Sequence, residues 1–194
     1  MIIGLTGGIG SGKTTVAQLF ETMGCVIYNS DERAKELYFQ PTIKQQVVNL
    51  LGKDAYLNEN EIDKNYISQK IFSDSNLLHQ LNKIIHPAVK EDFIKFKNKF
   101  SPETIILKET ALLFETSTDK DLDYSILVTA PIQIKIERVM KRNSISKTEV
   151  EKRMEAQWTD EKKIPLANFV IVNDNNHALI PQVLLVVQKL KQHV

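Results

Sequence analysis

The sequence predicts an α/β protein in which helices cover both faces of a parallel sheet, and three observations lead to that class. Five short runs are continuously apolar or β-branched: Ile2 to Thr6, Cys25 to Asn29, Thr104 to Lys108, Tyr124 to Thr129 and Phe169 to Asn173. Strands buried on both faces read this way, whereas strands with one solvated face alternate. Segments of helical periodicity separate the runs, the alternation of a doubly wound sheet. The first run also passes through a glycine-rich turn straight into a helical pattern.

Each element has its own signal. After the first strand and the turn, Thr15 to Phe20 continues as a helix with Val16, Leu19 and Phe20 on one face. Cys25 begins the second apolar run, which predicts a buried strand thiol rather than a reactive one. Between the second and third strands lie about 75 residues, far more than one crossover needs. They read as helices over Asp31 to Phe39, Thr42 to Leu51, Tyr66 to Phe72, Asn76 to Ile85 and Pro87 to about Phe100. Ile132, Ile136, Val139 and Met140 mark a helix after the fourth strand. Leu179, Val183, Val186, Val187 and Leu190 mark the last helix, with Pro181 tolerable in its first turn. The expected layout is one domain with a core of 1–30, 101–142 and 164–194. A helical insertion occupies 31–100, and a charged helical lid occupies 143–163.

The turn Gly7-Gly8-Ile9-Gly10-Ser11-Gly12-Lys13-Thr14 fits the phosphate-loop pattern G-x-x-x-x-G-K-[ST] in its required strand–turn–helix context. Glycines let successive N–H groups curl toward phosphate oxygens, and the helix N-terminus adds its own donors and dipole. Lys13 is placed to reach the β and γ phosphates, and the Thr14 hydroxyl to hold Mg²⁺. The motif predicts a bound nucleoside triphosphate.

Bulk properties exclude other classes. The formal charge is +1, so no global field draws the chain to nucleic acid or an anionic membrane. No apolar stretch approaches membrane-spanning length, and the strand begins at the N-terminus with no signal-like segment. One cysteine suits a reducing compartment. The expectation is a cytoplasmic monomer or small homo-oligomer.

Outside the loop, Asp31 follows the second strand at the sheet edge where ligands bind. It is a candidate proton acceptor, or else the N-cap of the next helix. Glu109 ends the third strand, where a carboxylate can hold Mg²⁺ through water, while Glu115 is equally well a solvated surface residue. Arg138 and Arg142 share a helix face, and Arg153 and Gln157 repeat that spacing. Arg142 and Arg153 are the strongest candidates for stacking on adenine or neutralising transferred phosphoryl oxygens, against a plain solvated face. His86, beside Pro87 at an expected helix joint, is either a ligand-facing group or a helix-end residue. Trp158 reads as a packing anchor.

Taken together these segments resemble the dephospho-CoA kinase family. The resemblance rests on Gly4 to Thr14, on Asn29-Ser30-Asp31 with Ala34-Lys35, on Leu81-Asn82 with His86-Pro87-Ala88-Val89, and on Glu109 to Glu115. Arg138-x-x-x-Arg142, Arg153-x-x-x-Gln157 and Ala167 to Asn173 complete it. It implies a P-loop kinase-like three-layer fold and phosphorylation of the ribose 3′-hydroxyl of dephospho-CoA by ATP with Mg²⁺. The implied ATP contacts are Gly8, Ile9, Gly10, Ser11, Gly12, Lys13, Thr14, Thr15, Arg142, Arg153 and Asn173. The implied acceptor contacts are Asp31, Lys35, His86, Glu109 and Leu113. Asp31, Lys13 and Arg142 are implied as catalytic, with Mg²⁺ on Thr14 mostly through water. Asn29, Lys35, Glu109, Ala111 and Asn143 depart from the family pattern, so only Asp31 of the family's Asp-x-Asp pair stands here as a carboxylate.

Overall fold

The computed structural model describes residues 1–192; residues 193 and 194, the end of the expected core segment 164–194, lie outside the described residues. In chain order the elements are β1 (Ile2–Thr6), α1 (Lys13–Thr22), β2 (Val26–Asn29), α2 (Ser30–Leu37), α3 (Pro41–Leu51), β3 (Tyr56–Asn58), β4 (Glu61–Ile62), α4 (Lys64–Ser73) and α5 (Ser75–Lys97). They continue with β5 (Ile106–Glu109), β6 (Tyr124–Thr129), α6 (Ile132–Asn143), α7 (Lys147–Glu155), α8 (Asp160–Lys163), β7 (Phe169–Val172) and α9 (Leu179–Lys191). The chain divides into two compact units, residues 1–29 with 100–194, and residues 30–99.

The first unit holds a five-stranded parallel sheet in the order β2-β5-β1-β6-β7. Ile3, Leu5, Leu107, Ile126, Val128 and Ile171 point to one face. There Val16, Ala17 and Phe20 of α1 and Val183, Val186, Val187 and Leu190 of α9 cover them. Residues after β5 close the other face. They lie so near the sheet that a Cβ on Gly4 would fall 2.6 Å from Leu122 and 2.8 Å from Leu113. β1 is central: the chain runs from it to β2 at one edge, returns through β5, and then crosses β1 to β6 and β7 on the other side. That crevice at the carboxyl ends is where open α/β sheets bind ligands.

The second unit packs around Ile43, Val47, Leu51, Ala55, Ile67, Leu81 and Ile85. The Arg33 guanidinium on α2 grips Asp92 on α5, with Nε to Oδ2 at 2.8 Å.

Several sequence expectations shift. Residues 76–85 and 87–100, expected as two helices, are joined in the single helix α5, which has Pro87 inside it and ends at Lys97. Proline removes one N–H and crowds the preceding turn, at a cost of about 3 kcal/mol. Leu81 and Ile85 before it and Ala88 and Val89 after it all pack on one cluster, and that shared burial outweighs the break. His86 therefore sits within a continuous helix rather than at a joint. The helix after β2 opens at Ser30, so Asp31 lies in its first turn instead of capping it. Cys25 precedes the strand rather than joining it, yet it is buried as expected, and burial pushes its thiol up to about 11. The third strand runs Ile106–Glu109 rather than 104–108, and the fifth ends at Val172. The antiparallel hairpin β3–β4 has a sequence signal only in its polar turn Asn58-Glu59-Asn60, where Asn58 Oδ1 accepts the Asn60 N–H.

Candidate active site

The phosphate loop leaves the carboxyl end of β1 and turns back into α1. Its turn is closed by the Ser11 N–H donating to the Gly8 carbonyl at 3.1 Å. Gly10 and Gly12 take left-handed backbone, at φ 80° and 92°. A side chain at Gly10 would run into the Lys135 carbonyl, and one at Gly12 into the Asn173 amide. Only glycine fits both the conformation and the space. Lys13 folds back over the loop, Nζ donating to the Gly7 carbonyl at 2.7 Å. The Ser11 hydroxyl is buried with no hydrogen-bond partner among the described residues, an orphan that a bound anion's oxygen would satisfy. These features fit a polyphosphate.

On one flank of the loop stands Glu109. Parallel register sets it beside Leu5 of β1 and opposite Asn29 of β2. The carboxylate is 5% exposed and takes the Thr14 hydroxyl at 3.3 Å on one oxygen and the Asn29 amide at 3.3 Å on the other. Asn29 now has a physical reason: an aspartate there would set a second carboxylate against a buried first one, which like-charge repulsion disfavours. Thr14 and Glu109 together present a hydroxyl and a carboxylate, the oxygen donors a hard divalent cation prefers.

On the other flank, Asn173 donates to the Ser11 carbonyl at 2.8 Å and accepts from Arg138 Nη2 at 3.2 Å. Asn175 accepts the same Arg138 nitrogen at 2.6 Å, while Arg138 Nη1 is buried and without a partner among the described residues. The neighbouring Asp174 carboxylate accepts the His177 N–H and ring and the Asn176 N–H, which hold it down at about 2.

Of the two arginines four apart on α6, it is thus Arg138 that turns to the loop. Arg142 is exposed and bonds its neighbour Asn143 at 3.0 Å, and Arg153 is exposed on α7. Arg138 stands one helical turn nearer the sheet edge, a signal available in the sequence but outweighed there by family spacing. Thr15 lies exposed in the first turn of α1. Leu113 is fully buried beneath Gly4, in the core rather than on a ligand surface. Asp31, Lys35 and His86 belong to the other unit. Asp31 is exposed there. Lys35 pairs with Glu32 at 2.6 Å and lines a cavity of about 410 Å³ with Phe39, Ile62 and Lys64. His86 is exposed on α5, and partial desolvation of its ring lowers its pKa.

The charged segment before β7 departs from expectation. Glu115, for which a solvated surface position was equally expected, accepts the Trp158 N–H at 2.9 Å and pairs with a fully buried Lys163 at 2.7 Å. Lys135 and the Thr129 hydroxyl both bond Asp160, and Gln157 Oε1 accepts the Ile9 N–H at 2.8 Å. Trp158, expected as a packing anchor, is 42% exposed on the wall of a cavity of about 420 Å³ that reaches Gly8 and Ile9. Among the described residues, no three His, Cys, Asp or Glu side chains group as a metal cage, and no helix is long and apolar enough to cross a membrane.

A glycine-walled phosphate loop on the central strand of a parallel sheet, with a lysine over it and a buried carboxylate at its rim, defines a P-loop phosphotransferase. The dephospho-CoA kinase family matches residues 1–178. Dephospho-CoA kinases of Bacteroides fragilis and Chlorobaculum tepidum are 36% and 38% identical, over 99% and 90% of this chain and 94% and 86% of their own. A Thermus thermophilus crystal structure superposes with TM-score 0.88 at 28% identity, covering 97% of this chain and 96% of that one. Dephospho-CoA kinase from Campylobacter jejuni, 20% identical over 99% and 98% of the two chains, shares the fold with TM-score 0.71. The chain belongs to the dephospho-CoA kinase family and is a kinase.

Proposed function

We propose that this chain transfers the γ-phosphoryl group of ATP to the ribose 3′-hydroxyl of dephospho-CoA, giving CoA and ADP, the closing step of coenzyme A synthesis. Family membership over nearly the whole chain, joined to the Gly7–Thr14 loop geometry, carries the reading. Loop N–H groups and the first turn of α1 bind the donor's β and γ oxygens, and Lys13 swings from the Gly7 carbonyl to neutralise them. Thr14 and Glu109 would hold Mg²⁺, directly or through water, and the ion would supply neutralisation of phosphate charge. Asn173 and Arg138 hold the far side of the donor site. In the second unit, Asp31 orients the acceptor hydroxyl and takes its proton, with Lys35 and His86 as further acceptor contacts. Arg142 and Arg153, both exposed and near the ends of α6 and α7, close on the phosphoryl group when residues 143–156 move inward. Closure excludes the water that would otherwise intercept the phosphoryl group. The lone, buried thiol of Cys25 suits a reducing cytoplasm.

The test is ADP release with Mg²⁺ and ATP against a panel of acceptors. Dephospho-CoA should turn over far faster than AMP, CMP or dTMP; equal turnover of a nucleoside monophosphate overturns the assignment. In the same assay Asp31→Asn should lose roughly 10²–10⁴-fold in kcat, the usual cost of removing a general base, with an unchanged thermal midpoint. Full activity in the Asp31→Asn variant removes Asp31 from that role.

A further inference from the structure

Residues 157–163 carry more polar anchoring than a connection between α7 and β7 requires. Asp160 holds Lys135 and the Thr129 hydroxyl, and the Lys135 and Asp160 side chains are 8% and 10% exposed. Glu115 holds the Trp158 N–H and the Lys163 ammonium. Thr129 ends β6 and Glu115 follows β5, the two strands that flank β1. The segment is therefore tied on both sides of the strand that feeds the phosphate loop, and it touches the loop itself. Gln157 Oε1 accepts the Ile9 N–H at 2.8 Å. A Cβ on Gly8 would stand 3.4 Å from Lys135 Nζ, 3.7 Å from Asp160 Oδ1 and 3.8 Å from Gln157 Oε1, so all three polar groups face that glycine.

A phosphate loop works by aiming successive N–H groups inward before its ligand arrives. The Ile9 N–H points the other way, to Gln157. That bond anchors the Gly8–Ile9 peptide plane, one residue ahead of Gly10 with its left-handed backbone, and so sets the path from which the following amides are aimed. We infer that Gln157 is a positioning residue of the phosphate loop: its side-chain carbonyl sets the loop's amides for the donor phosphates, and the buried Lys135–Asp160 pair holds Gln157 in register. It acts through Ile9 and touches no reacting atom. The inference rests on the loop being the ATP site.

The test pairs Gln157→Leu, which keeps bulk and removes the acceptor, with Gln157→Glu, which keeps an acceptor oxygen. The Leu variant should raise KM for ATP roughly 3- to 10-fold, the effect of one ordinary hydrogen bond. KM for dephospho-CoA should stay at the parent value, and the thermal midpoint within about 5 °C of it. Amide exchange of Ile9, followed without nucleotide, should quicken in the Leu variant and remain slow in the Glu variant. Unchanged Ile9 exchange in the Leu variant overturns the inference, as does a parallel rise in both KM values with a lowered midpoint, or fast exchange in the Glu variant. An enzyme inactive toward dephospho-CoA sinks the proposed function instead, and Ile9 exchange still decides this point.

Discussion

Residues 143–156 and 157–163 are neighbours of similar charge with opposite physical situations. Along α7, Lys147, Glu149, Glu151, Lys152, Arg153 and Glu155 are exposed, and Val150 is the helix's buried residue. A capping box between Ser146 and Glu149 closes its N-terminus. In 157–163, by contrast, Lys163 is fully buried and Asp160 nearly so; Lys163 pairs with Glu115 in the stretch after β5, and Asp160 with Lys135 on α6. A charged composition therefore does not tell which segment is pinned to the core by buried ions; pairing does. The first stretch is held by an apolar cluster, Val150 against Ile136 and Val139 of α6 with Ile145 and Met154 beside it, and by no buried ion pair among the described residues. The second cannot move without stranding ions in a low-dielectric interior.

The comparison is broken most severely at Lys163. Lys163→Met leaves Glu115 buried without its cation and should cost about 3–5 kcal/mol, a fall of roughly 6–20 °C in thermal midpoint. Lys163→Met combined with Glu115→Leu should recover most of that loss, because the stranded charge is gone. A single variant as stable as the parent means the pair is not a strut.

Ser146→Ala should act locally by comparison. Removing the cap costs about 1 kcal/mol, and amides of the first turn of α7 should exchange faster while those of 157–163 stay protected. Equal acceleration in both stretches erases the distinction between them.

The smallest effect is in pH. Asp174 sits near 2 because its carboxylate accepts the His177 N–H and ring and the Asn176 N–H. A depressed carboxyl pKa stabilises the folded state above the unfolded value of about 4. That contribution is lost as pH falls from about 4 to 2. Asp174→Asn should flatten stability across that window alone, in a series of denaturation midpoints. A change centred above pH 5 points to another group.

Legibility followed the range of the interaction. The strand–loop–helix entry was readable because its constraint is local: Gly10 and Gly12 must be glycine for backbone reasons, and Lys13-Thr14 must follow them. Pro87 misled because its local effect is to end a helix, whereas burial on both sides of it is non-local. The exposed arginines drew attention by spacing, yet Arg138 is the one that the loop after β7 turns toward the site, through Asn173 and Asn175.

By itself the sequence determined the parallel α/β class, the nucleotide loop and the family, since apolar runs, glycine positions and ordered motifs are written along the chain. Tertiary structure alone decided which charges are buried. The Lys163–Glu115 and Lys135–Asp160 pairs span 48 and 25 positions. No pattern in one dimension says that two such ions will meet, because what brings them together is the tertiary placement of α8 against α6 and against the stretch that follows β5.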